Sequence, residues 1–159
     1  MWTVTDSPIG PLRLVEREGS LTAIEFSPFP PADPGARGER DDDHPLLAEA
    51  ARQLAQYFAR ERTRFDLPLA PRGSTWQQSV WEQLRGIGYG QTVSYGEIAL
   101  RLGRTNAASR AVGLANGANP IPVVIPCHRV VGANGTLTGY AGGLERKQLL
   151  LQLEQPALF

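Results

Sequence analysis

Along the first sixty residues the apolar positions change period once. Segments 2–5, 12–17 and 21–26 are short runs of β-branched and apolar residues, punctuated by Ser7-Pro8, Gly10-Pro11 and Gly19-Ser20. Such runs predict three strands in a small antiparallel sheet. Segment 27–45 is proline-rich and polar and includes Asp41-Asp42-Asp43, which predicts a mobile surface loop. From 46 to 60 the spacing becomes helical, with Leu47, Ala50, Ala51, Leu54, Tyr57 and Phe58 on one stripe and Asp42-Asp43 near the positive end. This helix is expected to cover the sheet.

Segment 66–73, with Pro68, Pro71 and Gly73, reads as a linker, so the expected division is an N-terminal α/β unit at 1–68 and a mostly helical unit at 74–159. Thr75 is expected to open the next helix with Gln78 as its capping-box partner and Val80, Trp81 and Leu84 on the apolar stripe. That helix should end near Ile87-Gly88. Ser94-Tyr95-Gly96-Glu97 is a second capping box, Gly103 supplies a turn, Thr105 a cap, and 107–117 a further helix rich in small residues. Helix, glycine turn, helix is the helix-turn-helix pattern.

Charge adds a directional hint. The 159 residues have zero net charge, which argues against coating nucleic acid by bulk electrostatics. Residues 1–80 nevertheless hold nine Arg against twelve Asp and Glu, and 81–159 hold six Arg and Lys147 against four Glu. The C-terminal half is therefore the DNA-facing candidate. No apolar run reaches the roughly 18 residues of a membrane span, and the start of the chain lacks a basic, then apolar, leader. A cytoplasmic location is expected, where a free thiol survives. One cysteine and two histidines do not make a tetrahedral zinc site, so no metal is expected.

The single cysteine, Cys127, lies in Ile125-Pro126-Cys127-His128-Arg129-Val130. A lone thiol makes no disulfide within the chain; beside an imidazole it is a candidate nucleophile, and otherwise a small buried hydrophobe. Pro126 should end the apolar run 121–125 and leave the next residues at an element end, where reactive groups are favoured.

Pro126-Cys127-His128-Arg129-Val130, preceded by Ala118-Asn119-Pro120-Ile121-Pro122 and followed by Gly139-Tyr140-Ala141-Gly142-Gly143-Leu144, resembles the active-site region of the O6-alkylguanine-DNA alkyltransferases, the methylated-DNA–protein-cysteine methyltransferases. The resemblance runs from 75 to 154 and includes 6–12. It implies a winged helix-turn-helix-like C-terminal domain. It also implies irreversible, single-turnover transfer of an alkyl group from O6-alkylguanine in double-stranded DNA to Cys127, with O4-alkylthymine as a second candidate substrate. Neither a cofactor, a membrane nor an obligate protein partner is implied.

Residue by residue, the resemblance makes His128 the base that takes the thiol proton through a water, Glu154 its orienter, and Asn119 the residue that ties the turn after the recognition helix to the active-site strand. A base stacked in a duplex cannot reach a protein thiol, so the nucleotide must be turned out. Arg110 matches the arginine that takes the vacated place, and Ala108 and Ser109 lie beside it for approach to the minor groove. Tyr95 matches the tyrosine that approaches N3 of the displaced guanine, and Tyr140 an aromatic wall of the alkyl site. The carbonyls of Cys127 and Val130 would accept the exocyclic amine, and the Ala141 amide would approach O6. Arg101 and Arg104, flanking the turn, are candidates for phosphate contacts. Two other readings are a lesion binder without chemistry, which the Cys127-His128 pair argues against, and a thiol hydrolase, which gives Arg110 no purpose.

Overall fold

The structure is a computed structural model that describes residues 1–31 and 38–156. It divides into two compact units, Met1–Arg72 and Gly73–Phe159.

In the first unit, β1 (Trp2–Thr5), β2 (Leu12–Arg17) and β3 (Ser20–Phe26) form an antiparallel sheet in the order β1-β2-β3. Arg17 pairs with Ser20, leaving a two-residue connection. Its residues, Glu18 (φ 52°) and Gly19 (φ 84°), both take the left-handed backbone that matches the twist of a tight hairpin. Helix α1 (Pro45–Phe58) packs on the sheet and buries Leu47, Ala50, Leu54 and Tyr57, over Leu12, Leu14, Leu21 and Ile24.

Two expectations change here. The cap of α1 is His44, whose side chain accepts from the Leu46 amide at 3.2 Å, and not the aspartates. Asp42 is engaged elsewhere, by the Thr3 hydroxyl at 2.7 Å and Arg40 at 2.8 Å. Nor is the whole of 27–45 a free loop. Residues 32–37 lie outside the described residues, but the Trp2 amide donates to Glu39 and the Asp41 amide to Trp2, so 39–41 lies along the edge of β1. On the opposite edge the Leu21 amide donates to the Pro68 carbonyl and the Ala70 amide to Leu21. The segment read as a linker thus begins as a cover for an open strand edge.

The second unit contains α2 (Thr75–Arg85), β4 (Val93–Ser94), α3 (Tyr95–Arg101), a 3₁₀ turn (Asn106–Ala108), α4 (Ser109–Gly117), a second 3₁₀ turn (Cys127–Arg129), β5 (Val130–Val131) and α5 (Leu144–Glu154). Strands β4 and β5 pair in parallel, Val93 opposite Val130. Val80, Trp81, Leu84, Ile98, Val112, Ile121, Ile125, Leu150 and Leu151 form the core. The Trp81 indole, itself buried, donates to the Ala115 carbonyl at 2.8 Å and so ties α2 to α4.

Helices α3 and α4 are joined as expected through Gly103 (φ 73°), after which the Arg104 amide bonds back to Ala99 at 2.9 Å. Gly96 lets the Asn106 side chain approach closely, since a β-carbon there would lie 2.3 Å from its oxygen and the side chain would have to move aside. The Ser94/Glu97 capping box is present. Three local details differ. Thr105 makes no capping bond, and 106–108 winds as a 3₁₀ turn before α4 begins at Ser109. The apolar run 121–125 is a series of turns, and the strand follows Cys127 rather than preceding it.

The third is the start of α2, where Ser74, not Thr75, is the cap. Its hydroxyl accepts from Gln77 N at 3.1 Å, while the Gln77 side chain accepts from Ser74 N at 2.9 Å. Ser74→Ala is therefore expected to lower the stability of this unit by about 1 kcal/mol, and Thr75→Ala by less than about 0.5 kcal/mol. Thermal melts of the two variants check the order.

Candidate active site

Cys127 stands at the end of a tightly wound loop. Within 121–127 the Ile125 amide bonds to Ile121, the Val124 amide to Pro122 and the Cys127 amide to Ile125. At its centre Val123, 1% exposed, holds φ at 72°. A β-branched residue pays a steric cost in that region, so the surrounding contacts must impose it. Two asparagines supply them. Asn119 donates to the Ile125 carbonyl at 2.8 Å and accepts from the Ile121 amide at 3.0 Å. Asn116, on α4, donates to the Cys127 carbonyl at 3.2 Å. The thiol is 3% exposed. Burial pushes it up to about 11 from an ordinary 9.0, against the opposing influence of the Asn119 side chain, the Lys147 charge and the Tyr140 hydroxyl beside it.

Next in the chain, His128 is fully buried, and its Nε2 lies 2.7 Å from Oε2 of Glu154 near the end of α5. Its other nitrogen, Nδ1, is buried without a hydrogen-bond partner. Burial holds the imidazole below its usual 6.5 despite the carboxylate. The ring is therefore neutral at neutral pH, with Nε2–H donating to Glu154 and the Nδ1 lone pair available. Burial alone would raise the Glu154 carboxyl, but the bonds from His128 and Arg129 outweigh it and hold the group well below the usual carboxylate range.

Arg129 was not among the residues singled out. It grips Glu154 with two nitrogens, Nε to Oε1 at 2.8 Å and Nη2 to Oε2 at 3.0 Å, and its Nη1 donates to the Ile87 carbonyl at 2.6 Å. The Gly90 amide adds a bond to Oε1 at 3.3 Å. Lys147 was also missed as a site residue, although its being the only lysine was noticeable. It is fully buried, and its Nζ donates to the carbonyls of Val130 and Thr138, both at 2.7 Å. This pins the start of segment 138–141 to β5. Burial lowers the ammonium to about 8 from 10.5, with the nearby thiol opposing.

A cavity of about 540 Å³ is lined by Tyr95, Ser109, Arg110, Leu114, Thr138, Tyr140 and Ala141, together with three glycines. The Thr138 hydroxyl donates to the Tyr95 hydroxyl at 3.2 Å, leaving the Tyr95 hydrogen to point elsewhere. Burial raises Tyr140 well above the usual phenol value.

Family models match both units. The "6-O-methylguanine DNA methyltransferase, DNA binding domain" covers residues 75–156, and the "ribonuclease-like domain" of the same name covers 1–71. This chain belongs to the 6-O-methylguanine DNA methyltransferase family. Among its relatives, the methylated-DNA–protein-cysteine methyltransferase of Mycolicibacterium paratuberculosis is 51% identical, over 97% of this chain and 92% of that protein. The one from Methanosarcina acetivorans is 46% identical, over 96% and 97%. The crystal structure of Mycobacterium tuberculosis O6-methylguanine methyltransferase superposes with a TM-score of 0.88 at 46% identity, covering 98% of this chain and 92% of that one. A crystal structure of the Mycobacterium tuberculosis protein in complex with DNA gives 0.83 at the same identity and coverage.

Against the expectations for a methyltransferase of this family, the structure brings Cys127, His128, Glu154 and Asn119 together in one buried cluster, and Tyr95, Tyr140, Ala141, Ser109 and Arg110 around one cavity. Val130 is fully buried and its carbonyl already accepts from Lys147, as that of Cys127 does from Asn116. Neither lines the cavity, and the Cys127 carbonyl also accepts from the Val130 amide, so both of its lone pairs are engaged. Ala108 lies in the 3₁₀ turn outside the cavity lining. Arg101 is exposed at the end of α3, and Arg104 stacks over the Trp76 ring at 5.2 Å.

The buried carboxylate sets an acid limit. Because the Glu154 carboxyl is held below its ordinary 4.5, its contribution is fully present above that value and is lost as pH falls through and below it. The lowered His128 acts in the same direction below 6.5. Thermal stability should therefore fall as pH drops from about 6.5. Glu154→Gln should cost about 3 kcal/mol at neutral pH by leaving Arg129 unpaired, and should flatten the part of the fall below about pH 4.5. Melts from pH 3 to 8 compare the two proteins.

Proposed function

We propose that this protein repairs O6-alkylated guanine in double-stranded DNA by moving the alkyl group irreversibly onto Cys127, one group per molecule. O4-alkylthymine, which presents an alkyl carbon on an exocyclic oxygen in the same way, is included in the reading. The observation that carries the proposal is the buried imidazole of His128, with one nitrogen on Glu154 and the other unpartnered, next in the chain to the only thiol. Family membership and the methylated-DNA activity in its relatives' names support it.

The chemistry follows from the charges. At rest the thiol is protonated, so reaction requires transfer of its proton to His128 Nδ1 through a water. Glu154 orients the ring and balances the imidazolium. The sulfur then attacks the alkyl carbon in line, a carbon–sulfur bond forms, and the carbon–O6 bond breaks with its electron pair going to guanine. Tyr95 donates toward N3 of the leaving base, and the proton held by His128 passes to the base through solvent. Lys147 lowers the cost of the transient thiolate. No second thiol exists to release the thioether, which makes the event terminal.

We read α3 and α4 as a helix-turn-helix of the winged kind, with α4 entering the minor groove beside the small residues Ala108 and Ser109. The paired strands available to such a wing are two residues long. Arg110, exposed on the cavity rim, takes the place of the displaced nucleotide; Arg101 and Arg104 contact phosphates. The DNA named in the Mycobacterium tuberculosis complex supports DNA as the partner. A cytoplasmic site of action suits the free thiol, and among the described residues no helix is long and apolar enough to cross a membrane.

Incubation with a duplex containing O6-methylguanine should add one methyl mass to the peptide carrying Cys127. Cys127→Ser should abolish transfer while changing DNA affinity by no more than about threefold; undiminished transfer by that variant would end the proposal. His128→Ala and Glu154→Gln combined should slow alkylation little more than His128→Ala alone, because the pair acts as one unit. Arg110→Ala should slow duplex repair on the order of tenfold or more and leave reaction with free O6-benzylguanine nearly unchanged. Single-turnover rates on the two substrates separate these outcomes.

A further inference from the structure

Helix α4 lines the cavity with Ser109 at its start and then with Arg110, Gly113, Leu114 and Gly117, the last four at a regular spacing. That spacing is one continuous helical face. Two of the four are glycines; a β-carbon on Gly113 would stand 3.7 Å from the Tyr95 ring, and one on Gly117 would meet nothing. The face therefore carries two side chains of any reach, one cationic and one aliphatic, about 6 Å apart along the axis. Leu114 is 70% exposed, whereas its neighbours Val112 and Ala115 are buried. Core packing does not account for it. An isolated exposed leucine on a general surface needs no explanation, but this one stands on the rim of the cavity, one turn from Arg110.

We propose that Leu114 is a positioning residue for the displaced nucleotide, its isobutyl group packing on the apolar face of that nucleotide's deoxyribose. The inference rests on the function proposed above, which puts the purine in the cavity and Arg110 in the gap it leaves. The sugar joins that purine to its strand, so it must bridge the distance between Arg110 and the cavity interior. Leu114 lines that same cavity one turn from Arg110 on the same helix face, within reach of such a sugar. The flank of a deoxyribose presents C–H groups and no donor, which suits an aliphatic side chain. Water leaves Leu114 when the nucleotide is out, so the contact shifts the stacked-to-displaced equilibrium toward the reactive state. Arg110 acts on the duplex that remains; Leu114 acts on the nucleotide that has left it.

The test compares the parent protein, Leu114→Ala and Leu114→Met on three substrates: O6-methylguanine in a duplex, the same strand unpaired, and free O6-benzylguanine. Subsaturating single-turnover rates for the alanine variant should fall on the order of tenfold on both oligonucleotides, from lost apolar contact. The free base should change by less than about twofold, and methionine should restore most of the loss. A loss confined to the duplex would make Leu114 a wedge acting on the stack and overturn the sugar contact. Equal loss on the free base would assign it to the pocket or the fold, and no loss on any substrate would remove it from the interaction. Failure of the parent protein to alkylate Cys127 from any of the three would instead strike the proposed function itself.

Discussion

One buried carboxylate organises the second unit. Glu154 ends α5 far from Cys127 in sequence, yet it holds His128, the Nε–Nη2 edge of the Arg129 guanidinium and the Gly90 amide. Arg129 in turn holds the Ile87 carbonyl. The segment after α2, the 3₁₀ turn at 127–129 and the end of α5 therefore meet at one charge. A carboxylate this deeply buried persists because every lone pair finds a donor, and removing one partner leaves the others uncompensated. The same bonds set the imidazole tautomer. The interaction that closes the fold also orients the His128 ring.

The thiol is buried in a way that makes it a poor nucleophile at rest. Burial keeps it protonated, while the Asn119 side chain, the buried Lys147 ammonium and the Tyr140 phenol oppose that shift. This arrangement gives reactivity to a substrate that fills the site and withholds it from solvent oxidants. Holding the cysteine there strains the backbone at Val123, and Asn116 and Asn119 bear that strain through bonds to carbonyls that a turn-built loop would otherwise leave unpaired. Asn116 sits on α4 beside the cavity-lining face, so the helix that carries Arg110 and Leu114 is bonded directly to the backbone of Cys127.

Much of this was legible along the chain, and the remainder was not for identifiable reasons. The three strands, the Ser94/Glu97 box and the Gly103 turn depend on neighbours within a few residues, where backbone propensity and local hydrogen bonds decide. Pro126-Cys127-His128 marked the chemistry together with the flanking blocks that resemble the alkyltransferases, since a lone cysteine by itself reads equally as a small buried hydrophobe. Ser74 and Thr75 are both competent caps, and which one serves depends on where the helix axis must lie to bury Trp81. Thr105 is a good capping residue in isolation, but the chain after it winds as a 3₁₀ turn and its side chain makes no capping bond.

The partners of the buried charges belong to the tertiary structure alone. Nothing local to Arg129 says that it turns inward onto a glutamate at the end of the next helix, and nothing in the polar-looking α5 says that Lys147 points into the protein while Leu149 stays partly exposed. An isolated helix would solvate that lysine. The carbonyls of Val130 and Thr138, which accept from it, make its burial tolerable only once β5 and segment 138–141 are in place. The sequence by itself determined which short elements form and which groups can react. Which ionised side chains leave water was decided by the fold, because desolvation can be offset only by partners that chain folding brings together.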